Sequence, residues 1–422
     1  MRNGVIRGGL IISPGLGEKK LSGDIYFKNG VFCDEYDGPY DVEIDASGLA
    51  VFPGFVDAHA HLRDPGFEYK EDIRSGTLSA AHGGFTSVAC MPNTNPVCDN
   101  AAVVGYIMRK AAISGHVNVF PIGAVTKGQQ GRELAEIGLM KEAGIVAVSD
   151  DGVPVSTADM MRKGMEYAGD FGLTVINHCE DMSLANGHMN EGYNSTAMGL
   201  RGVPSAAEDI IVARDIVLAE YLNLKVHLAH VSTKGAVRLI REAKTRGVKV
   251  TCETCPHYFT LTDDACLGFN TLARVNPPLR RPEDVEAIIE GLKDGTIDMI
   301  ATDHAPHHID EKDIEFDKAL NGMIGFETAF ALGYTNLVKA GHLTLSELAL
   351  KMSKAPSDLL AIGRGGFEIG APADVAVADL AETYRIDRFK MVSKSNNSPY
   401  HGMEVSGRVK YTIVSGKVVF ND

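Results

Sequence analysis

VFPGFVDA at residues 51–58 is the first of eight short apolar runs in this chain, and the helical pattern KEDIRSGTLSAAHGG (70–84) follows it. The other seven runs are FTSVACM (85–91), VNVFPIGA (117–124), GIVAVSD (144–150), LTVINH (173–178), KVHLAHV (225–231), VKVTCET (248–254) and IDMIATD (297–303). Further helical patterns lie between them, at 101–114, 131–144 and 157–172. Apolar strands that alternate with helices are typical of a parallel α/β sheet. Eight of them favour a closed (β/α)8 TIM-type barrel over an open doubly wound sheet, and no glycine-rich dinucleotide fingerprint follows the first strand.

The two ends of the chain are rich in short alternating strands with glycine turns, such as GDIYFKNGVF (23–32) and GRVKYTIVSGKVVF (407–420). Each end is too small to bury a core alone. We therefore predict that residues 1–50 and 366–422 pair as one small β-sandwich domain. Residues 51–365 would then form the barrel.

The composition excludes several classes of protein. A formal net charge of -14 over 422 residues argues against a nucleic-acid-binding surface. No apolar run reaches the roughly 18 residues of a membrane span, and the N-terminus lacks a signal-peptide pattern, so we predict a cytoplasmic protein without membrane contact. The seven cysteines are scattered like small buried hydrophobic residues. Cys252 and Cys255 form a lone CxxC, which is a weak indication of a metal or redox site.

Polar and ionisable residues cluster at the ends of seven of the eight predicted strands, in DAHAH, CMPN, SDDG, NHCE, HLAHVS, CETCPH and TDHAPH. The carboxyl ends of barrel strands converge on one face, where active sites are built. His59 and His61 lie two residues apart on an extended segment, so their side chains point to the same side. The pair is therefore suited to hold one divalent cation.

Other strand ends leave alternatives open. His178, after an apolar run, is either a hydrogen-bonded core residue or a ligand. His227 and His230 face opposite sides of their strand, so only one can enter the barrel, and His230 is nearer the carboxyl end. Asp150 and Asp151 are also opposed, and alternation does not say which of them is a ligand.

Asp303 ends the eighth predicted strand, where a carboxylate can bind a metal and also accept a proton from metal-bound water. Four imidazoles and two carboxylates exceed what one tetrahedral zinc needs, and they suit two cations that share a bridge. Imidazole with carboxylate favours zinc, although manganese or cobalt also suits such ligands. The predicted cofactor is two zinc ions per chain.

Two long motifs, PGFVDAHAHLRDPG (53–66) and ATDHAPHHIDEK (301–312), resemble the signatures of the dihydroorotases in the amidohydrolase superfamily. Five shorter motifs match the bacterial type I branch of that family in order and approximate spacing: MPNTNP (91–96), SDDG (149–152), NHCE (177–180), HLAHVST (227–233) and VNPPLR (275–280). The resemblance covers most of the chain.

The resemblance implies a two-metal site with a bridging carboxylate. Its members are His59, His61 and Asp303 on one metal, His178 and His230 on the other, and Asp151 as the bridge. In this family a metal-bound hydroxide attacks a ring carbonyl, and the aspartate that matches Asp303 moves the proton as general acid and base. The implied reaction is the reversible cyclisation of N-carbamoyl-L-aspartate to L-dihydroorotate, in the de novo synthesis of pyrimidines and UMP.

The resemblance also implies substrate contacts. The predicted residues are Arg63, Asn93 and His307 on the free carboxylate, with Asn276 and the backbone of Asn321 and Gly322 on the rest of the molecule. Arg63 suits this task because a guanidinium binds a carboxylate through two parallel hydrogen bonds. The stretch LNGMIGFET (320–328) departs from the family, since Leu320 and Asn321 stand where relatives carry proline and phenylalanine.

Two alternative functions are weighed against this interpretation. A hydantoinase, dihydropyrimidinase or allantoinase would share the metal ligands but would have no need of the carboxylate clamp formed by Arg63, Asn93 and His307. A non-catalytic scaffold, for instance for an aspartate carbamoyltransferase, would be expected to lose metal ligands, and all six are present. The family also implies a homodimer and association with aspartate carbamoyltransferase. The charged segment 303–322 is predicted to be either a mobile lid or a solvated surface helix.

Overall fold

The computed structural model describes residues 2–14 and 21–422. Met1 and residues 15–20, which belong to the predicted terminal β-domain, lie outside the described residues. None of the helices in the described ranges is long and apolar enough to cross a membrane.

The central element is a sheet of eight parallel strands, which run in chain order around the sheet. The strands are β1 Phe55–Ala60, β2 Phe85–Cys90, β3 Asn118–Gly123, β4 Ala147–Val148, β5 Val175–Asn177, β6 Val226–Leu228, β7 Val250–Thr254 and β8 Met299–Ile300. The segment after β8 pairs with the end of β1, since the Asp303 amide donates to the His59 carbonyl (3.0 Å) and the His61 amide to the His304 carbonyl (2.9 Å). This pairing closes the barrel and confirms the predicted (β/α)8 architecture over an open sheet.

The helices pack around the outside of the barrel and at its ends. The α-helices are Ile73–His82, Ala101–Ser114, Ile137–Ala143, Ala158–Asp170, Tyr193–Ala197, Ala206–Leu222, Lys234–Thr245, Pro256–Thr260, Pro282–Lys293, Ile309–Lys312, Phe326–Gly333, Leu345–Ala349 and Ala355–Leu360. Val237, Ile240 and Ala243 show the usual pattern, because they bury one face of Lys234–Thr245 at spacings of three residues.

One predicted helix is only half formed. The pattern at 131–144 predicts a helix throughout, but the helix begins at Ile137. The preceding residues pair with an extended loop instead, since Leu134 bridges Thr126 and the Ala135 amide donates to the Val125 carbonyl (2.9 Å). Tertiary backbone pairing therefore overrides the local helical pattern.

The ends of the chain form two sheets that face each other. One has four strands, in the order Val31–Cys33, Ile25–Lys28, Gly4–Arg7, Val42–Asp45. The other has six, in the order Lys417–Asn421, Glu404–Val414, Val375–Arg385, Ala50–Pro53, Leu10–Ile11, Leu21–Ser22. Phe27, Val51, Val375 and Ile413 are buried in the apolar core that these strands share. The small β-sandwich predicted from both ends of the chain is thus confirmed.

The run at 51–58, predicted as one strand, is divided at Gly54. Ala50–Pro53 belongs to the six-stranded sheet, and β1 begins at Phe55. A Cβ atom at Gly54 would lie 2.2 Å from the Thr86 hydroxyl, so only glycine allows the chain to pass this closely from sandwich to barrel. The division into domains at residues 50 and 365 stays a prediction.

Candidate active site

His59 and His61 point into the barrel from the carboxyl end of β1. The His59 side chain is fully buried, and its Nε2 lies 3.3 Å from Asp151 Oδ1. His61 Nε2 lies 3.0 Å from Asp303 Oδ1. The extended backbone therefore brings both imidazoles beside carboxylates that come from other strand ends.

Asp151 lies among four imidazoles, directly beyond β4. Its Oδ1 is 3.5 Å from His230 Nε2 and 3.7 Å from His178 Nδ1, and its Oδ2 is 3.5 Å from His61 Nε2. Burial alone would raise the pKa of Asp151, but the imidazoles, His59 foremost, hold it well below its usual range. This carboxylate is positioned between the two predicted groups of ligands.

Asp150 faces away from this cluster. Its Oδ1 accepts hydrogen bonds from the backbone amides of Val125 (2.8 Å) and Thr126 (3.0 Å), and its Oδ2 accepts from the Thr126 hydroxyl. These bonds fix the loop after β3. Of the two aspartates, Asp151 is therefore the one whose carboxylate lies in the cluster of histidines.

His178 and His230 complete the cluster, with 2.9 Å between His178 Nδ1 and His230 Nε2. His227, three residues before His230, points elsewhere: its Nδ1 lies 2.9 Å from the Thr251 hydroxyl and its Nε2 3.2 Å from Glu253. Of the two histidines at the end of β6, His230 is the one in the cluster.

The cluster fits a metal ion by the chemistry of its donors. The buried atoms His59 Nε2 and Asp151 Oδ1 have no hydrogen-bond partner among residues 2–14 and 21–422, and an unpaired buried polar atom costs roughly 1–3 kcal/mol. Ligand atoms of His59, His61 and Asp303 lie within 4.8 Å of one another, as do those of His59, Asp151 and His230. Imidazole nitrogen with carboxylate oxygen is a donor set for a divalent transition metal.

Two glutamates that sequence reasoning missed orient these histidines. Glu253, on β7, lies 2.7 Å from His59 Nδ1 and leaves His59 Nε2 free to face the cluster. Glu180 lies 3.0 Å from His178 Nε2 and accepts a bond from the Asn276 amide (2.9 Å). The sequence signal was an acidic residue in each of the strand-end motifs CETCPH and NHCE, but only the fold pairs Glu253 with a histidine 194 residues away.

Three site residues adopt a backbone conformation that L-residues rarely take. The φ angles are 62° at Arg63, 35° at His230 and 46° at Asp303. Such conformations cost about 1–3 kcal/mol each and are concentrated at functional sites. The backbone at these strand ends therefore places the three side chains at a cost to the stability of the fold.

Above the cluster lies a cavity of about 210 Å³. Its lining includes every predicted substrate residue: Arg63, Asn93, Asn276, His307, Asn321 and Gly322. Arg63 Nε donates to the Pro306 carbonyl (3.2 Å), and its Nη2 lies 3.4 Å from His307 Nε2. Asn93 Oδ1 lies 2.9 Å from His61 Nδ1, so Asn93 also orients a predicted metal ligand.

His307 is held in its neutral form. Burial, and then the neighbouring cations Arg63, Lys70 and Lys312, hold its pKa well below the usual range. Its Nε2 lies 2.8 Å from the Asn321 carbonyl, which only accepts, so Nε2 carries the proton. The other ring nitrogen, Nδ1, then accepts from Lys70 Nζ at 3.4 Å.

The chain is similar to known proteins over its whole length. A family model described as dihydro-orotase-like matches residues 48–236. A dihydroorotase from Acetivibrio thermocellus is 59% identical over 425 residues, which cover 99% of both chains. One from Geobacter metallireducens is 56% identical over 423 residues, again 99% of both. The chain belongs to the dihydroorotase family.

Solved structures of other cyclic amidohydrolases share the fold. An L-hydantoinase (dihydropyrimidinase) from Arthrobacter aurescens is 26% identical, with a TM-score of 0.90 over 100% of this chain and 96% of that one. A dihydropyrimidinase from Brevibacillus agri is 22% identical, with a TM-score of 0.86 over 99% and 95% of the two chains. The barrel and the sandwich are thus common to this chain and to the hydantoinases and dihydropyrimidinases. The sequence places this chain in the dihydroorotase family, an enzyme family of metal-dependent hydrolases.

Proposed function

We propose that this protein is a dihydroorotase, which interconverts N-carbamoyl-L-aspartate and L-dihydroorotate in the de novo synthesis of pyrimidines. The observation that carries the proposal is the position of Arg63, which lines the same cavity as Asn93 and Asp303 and lies beside His307. A guanidinium in this position supplies the charge that the free carboxylate of dihydroorotate requires.

We assign the metal ligands in two groups, His59, His61 and Asp303 for one zinc and His178 and His230 for the other, with Asp151 between them. The unpaired atoms of His59 and Asp151 support this assignment. When bound, two cations supply Lewis acidity, which lowers the pKa of water and polarises a carbonyl group.

Asp303 is assigned as general base and acid. Its carboxylate lines the cavity and lies 3.0 Å from His61 Nε2. In the hydrolytic direction Asp303 accepts a proton from the attacking water as the C–O bond forms. It then returns that proton to the ring nitrogen as the C–N bond breaks, and ring closure follows the same steps in reverse.

The remaining residues orient the ring. Arg63, Asn93 and His307 surround its free carboxylate, while Asn276 and the backbone of Asn321 and Gly322 contact the rest. A hydantoinase, dihydropyrimidinase or allantoinase acts on a ring without this carboxylate and would leave Arg63 unpaired. A purely structural scaffold would have no use for the full ligand set.

The resemblance to the family further suggests a cytoplasmic homodimer that associates with aspartate carbamoyltransferase. Light scattering coupled to size-exclusion chromatography, with and without that enzyme, tests both proposals. A monomer that elutes unchanged in its presence would reject them.

Substrate choice is tested with the zinc-loaded protein. Ultraviolet absorbance follows the hydrolysis of L-dihydroorotate, with dihydrouracil, hydantoin and allantoin in parallel. Turnover of dihydroorotate alone is expected. Turnover of an uncharged ring instead would show that the proposed substrate is wrong. Inactivity on all four compounds, with metal in place, would favour a non-catalytic scaffold protein.

A further inference from the structure

The loop 320–322 closes one side of the cavity, and Gly322 is its most constrained residue. Gly322 has a φ of 136°, and a Cβ atom there would lie 2.7 Å from the Ala305 Cβ and 3.1 Å from His307 Nε2. The Asn321 carbonyl next to it accepts the proton of His307 Nε2. The backbone of this loop therefore sets the orientation of a carboxylate-binding residue.

Lys312 holds this loop from behind. Its side chain is almost completely buried, and its Nζ donates to the carbonyls of Leu320 (2.7 Å), Gly322 (3.0 Å) and Arg274 (3.3 Å). Burial, with Arg274 nearby, lowers the pKa of Lys312 to about 7. Burying an ammonium group costs free energy unless its hydrogen bonds are satisfied. For Lys312 these three acceptors are backbone carbonyls in or next to the loop.

Asn397 holds the same loop from the other side. Its Nδ2 donates to the carbonyls of Gly322 (3.1 Å) and Ala305 (3.0 Å), and its Oδ1 accepts from the His307 amide (3.1 Å). One side chain thus links the backbone of the strand-end motif at 305–307 with the loop at 320–322.

The segment that carries Asn397 is itself fixed to the barrel. The Lys394 amide donates to Glu71 (3.2 Å), and the Ser395 hydroxyl donates to the Lys70 carbonyl (2.7 Å). Both acceptors lie immediately before the helix Ile73–His82. This anchoring makes Asn397 a rigid support rather than a surface contact.

We propose that Lys312 and Asn397 are positioning residues, which clamp the Gly322 carbonyl from two sides and thereby hold the Asn321 carbonyl over His307. The clamp thereby fixes the orientation of the His307 ring beside Arg63, at the proposed carboxylate site. The inference rests on the proposed dihydroorotase function and deepens it.

The test uses Lys312→Met and Asn397→Ala in the full-length, zinc-loaded protein. Because the clamp acts on the carboxylate site, each variant is expected to raise the KM for L-dihydroorotate about tenfold, a loss comparable to one charge-assisted hydrogen bond. The kcat and the metal content are expected to stay within about twofold of wild type. Lys312→Arg should recover part of the loss in KM.

Matched controls come from the opposite end of the barrel. Lys351 is a second buried lysine that donates to a backbone carbonyl, that of Ile297 (2.7 Å). Asn118 donates to the Thr86 carbonyl (2.7 Å). Lys351→Met and Asn118→Ala control for the general cost of these substitutions and should leave the KM unchanged.

A second readout does not depend on activity. Hydrogen exchange at the amides of residues 321–323 should accelerate in Lys312→Met and Asn397→Ala but not in the controls, since the Gly322 amide is bonded to the Arg274 carbonyl (2.9 Å). Unchanged exchange, or a fall in kcat without a rise in KM, would overturn the proposed clamp. If wild type fails to turn over dihydroorotate, the proposed function falls, and the exchange experiment still decides whether the clamp exists.

Discussion

Asp150 and Asp151 are neighbours that are both buried, yet their carboxylates are used for different purposes. Asp150 accepts hydrogen bonds from two backbone amides after β3, whereas Asp151 lies among imidazoles. Asp151→Asn is expected to lower metal content and nearly abolish activity, since a neutral amide is a poor ligand. Asp150→Asn should keep its metal and lose thermal stability instead. Elemental analysis and melting curves of both variants check this, and full metal occupancy in Asp151→Asn would show that the assignment is wrong.

We propose that substrate choice depends on Arg63, which lines the cavity. Arg63→Met should raise the KM for L-dihydroorotate about 100-fold, because two charge-assisted hydrogen bonds of roughly 1.5 kcal/mol each are lost. Any weak activity on dihydrouracil, which lacks the carboxylate, should change little. Steady-state kinetics on both substrates decide the matter. An equal loss on both would mean that Arg63 acts on the metal site and not on the carboxylate.

At the scale of elements, a partly buried carboxylate fastens the segment 391–397 to the barrel. Glu327, in the first turn of Phe326–Gly333, accepts bonds from the Ser79 hydroxyl (2.8 Å) and from the amides of Val392 (3.1 Å) and Ser393 (3.2 Å). Burial raises the pKa of Glu327 to about 7, although these donors oppose the shift. A folded-state pKa above the usual value of about 4.5 means that the fold favours the protonated acid.

This raised pKa predicts a pH-dependent stability difference. Stability from protonated Glu327 is fully present below pH of about 4.5 and is lost as pH rises towards about 7. Glu327→Gln, which stays neutral and keeps an acceptor oxygen, should therefore gain in Tm relative to wild type between pH 5 and pH 8. Melting curves at both pH values measure this gain. Glu290→Gln on the surface is the control, and a difference that does not depend on pH would contradict the shift.

For the segment 303–322, both a mobile lid and a solvated surface helix remain predictions. It is tethered on its outer side, since Glu311 lies 2.9 Å from Lys70 Nζ and accepts from the Tyr69 hydroxyl (2.9 Å). On its inner side Lys312 is buried beneath the loop 320–322. Any opening motion of the segment must break these contacts.

For the whole molecule, we expect metal binding and folding to be linked. The cluster brings Asp151 and Asp303 together with four imidazoles in the closed barrel, and a ligand that binds only the folded state stabilises it by about 2.7 kcal/mol at a hundredfold excess over its Kd. Chelation is therefore expected to lower the Tm by several degrees, and zinc should restore it. Asp151→Asn should show a much smaller response. A Tm that stays constant while the metal content falls to zero would contradict the linkage.

Some site residues could be predicted from the sequence and others could not. Strand geometry and residue order are local, so three features could be predicted from short stretches of sequence. They are the shared side of His59 and His61, the opposite sides of His227 and His230, and the motif that contains Arg63. The helix predicted from residue 131 was wrong at its start, since Leu134 pairs with the backbone of Thr126. The contacts of Glu253 with His59 and of Asn397 with Gly322 join residues far apart in the chain, so no local sequence pattern predicts them.

The sequence by itself determined that eight apolar strands alternate with helices and that their ends carry ionisable residues, because periodicity and strand-end chemistry are properties of short segments. Only the tertiary structure decided that Asp151 faces the imidazoles, that Glu253 lies beside His59, and that Asn397, near the carboxyl terminus, contacts the loop 320–322. These choices depend on contacts between residues far apart in the chain. Such contacts form only when the barrel closes and the two ends meet in the sandwich.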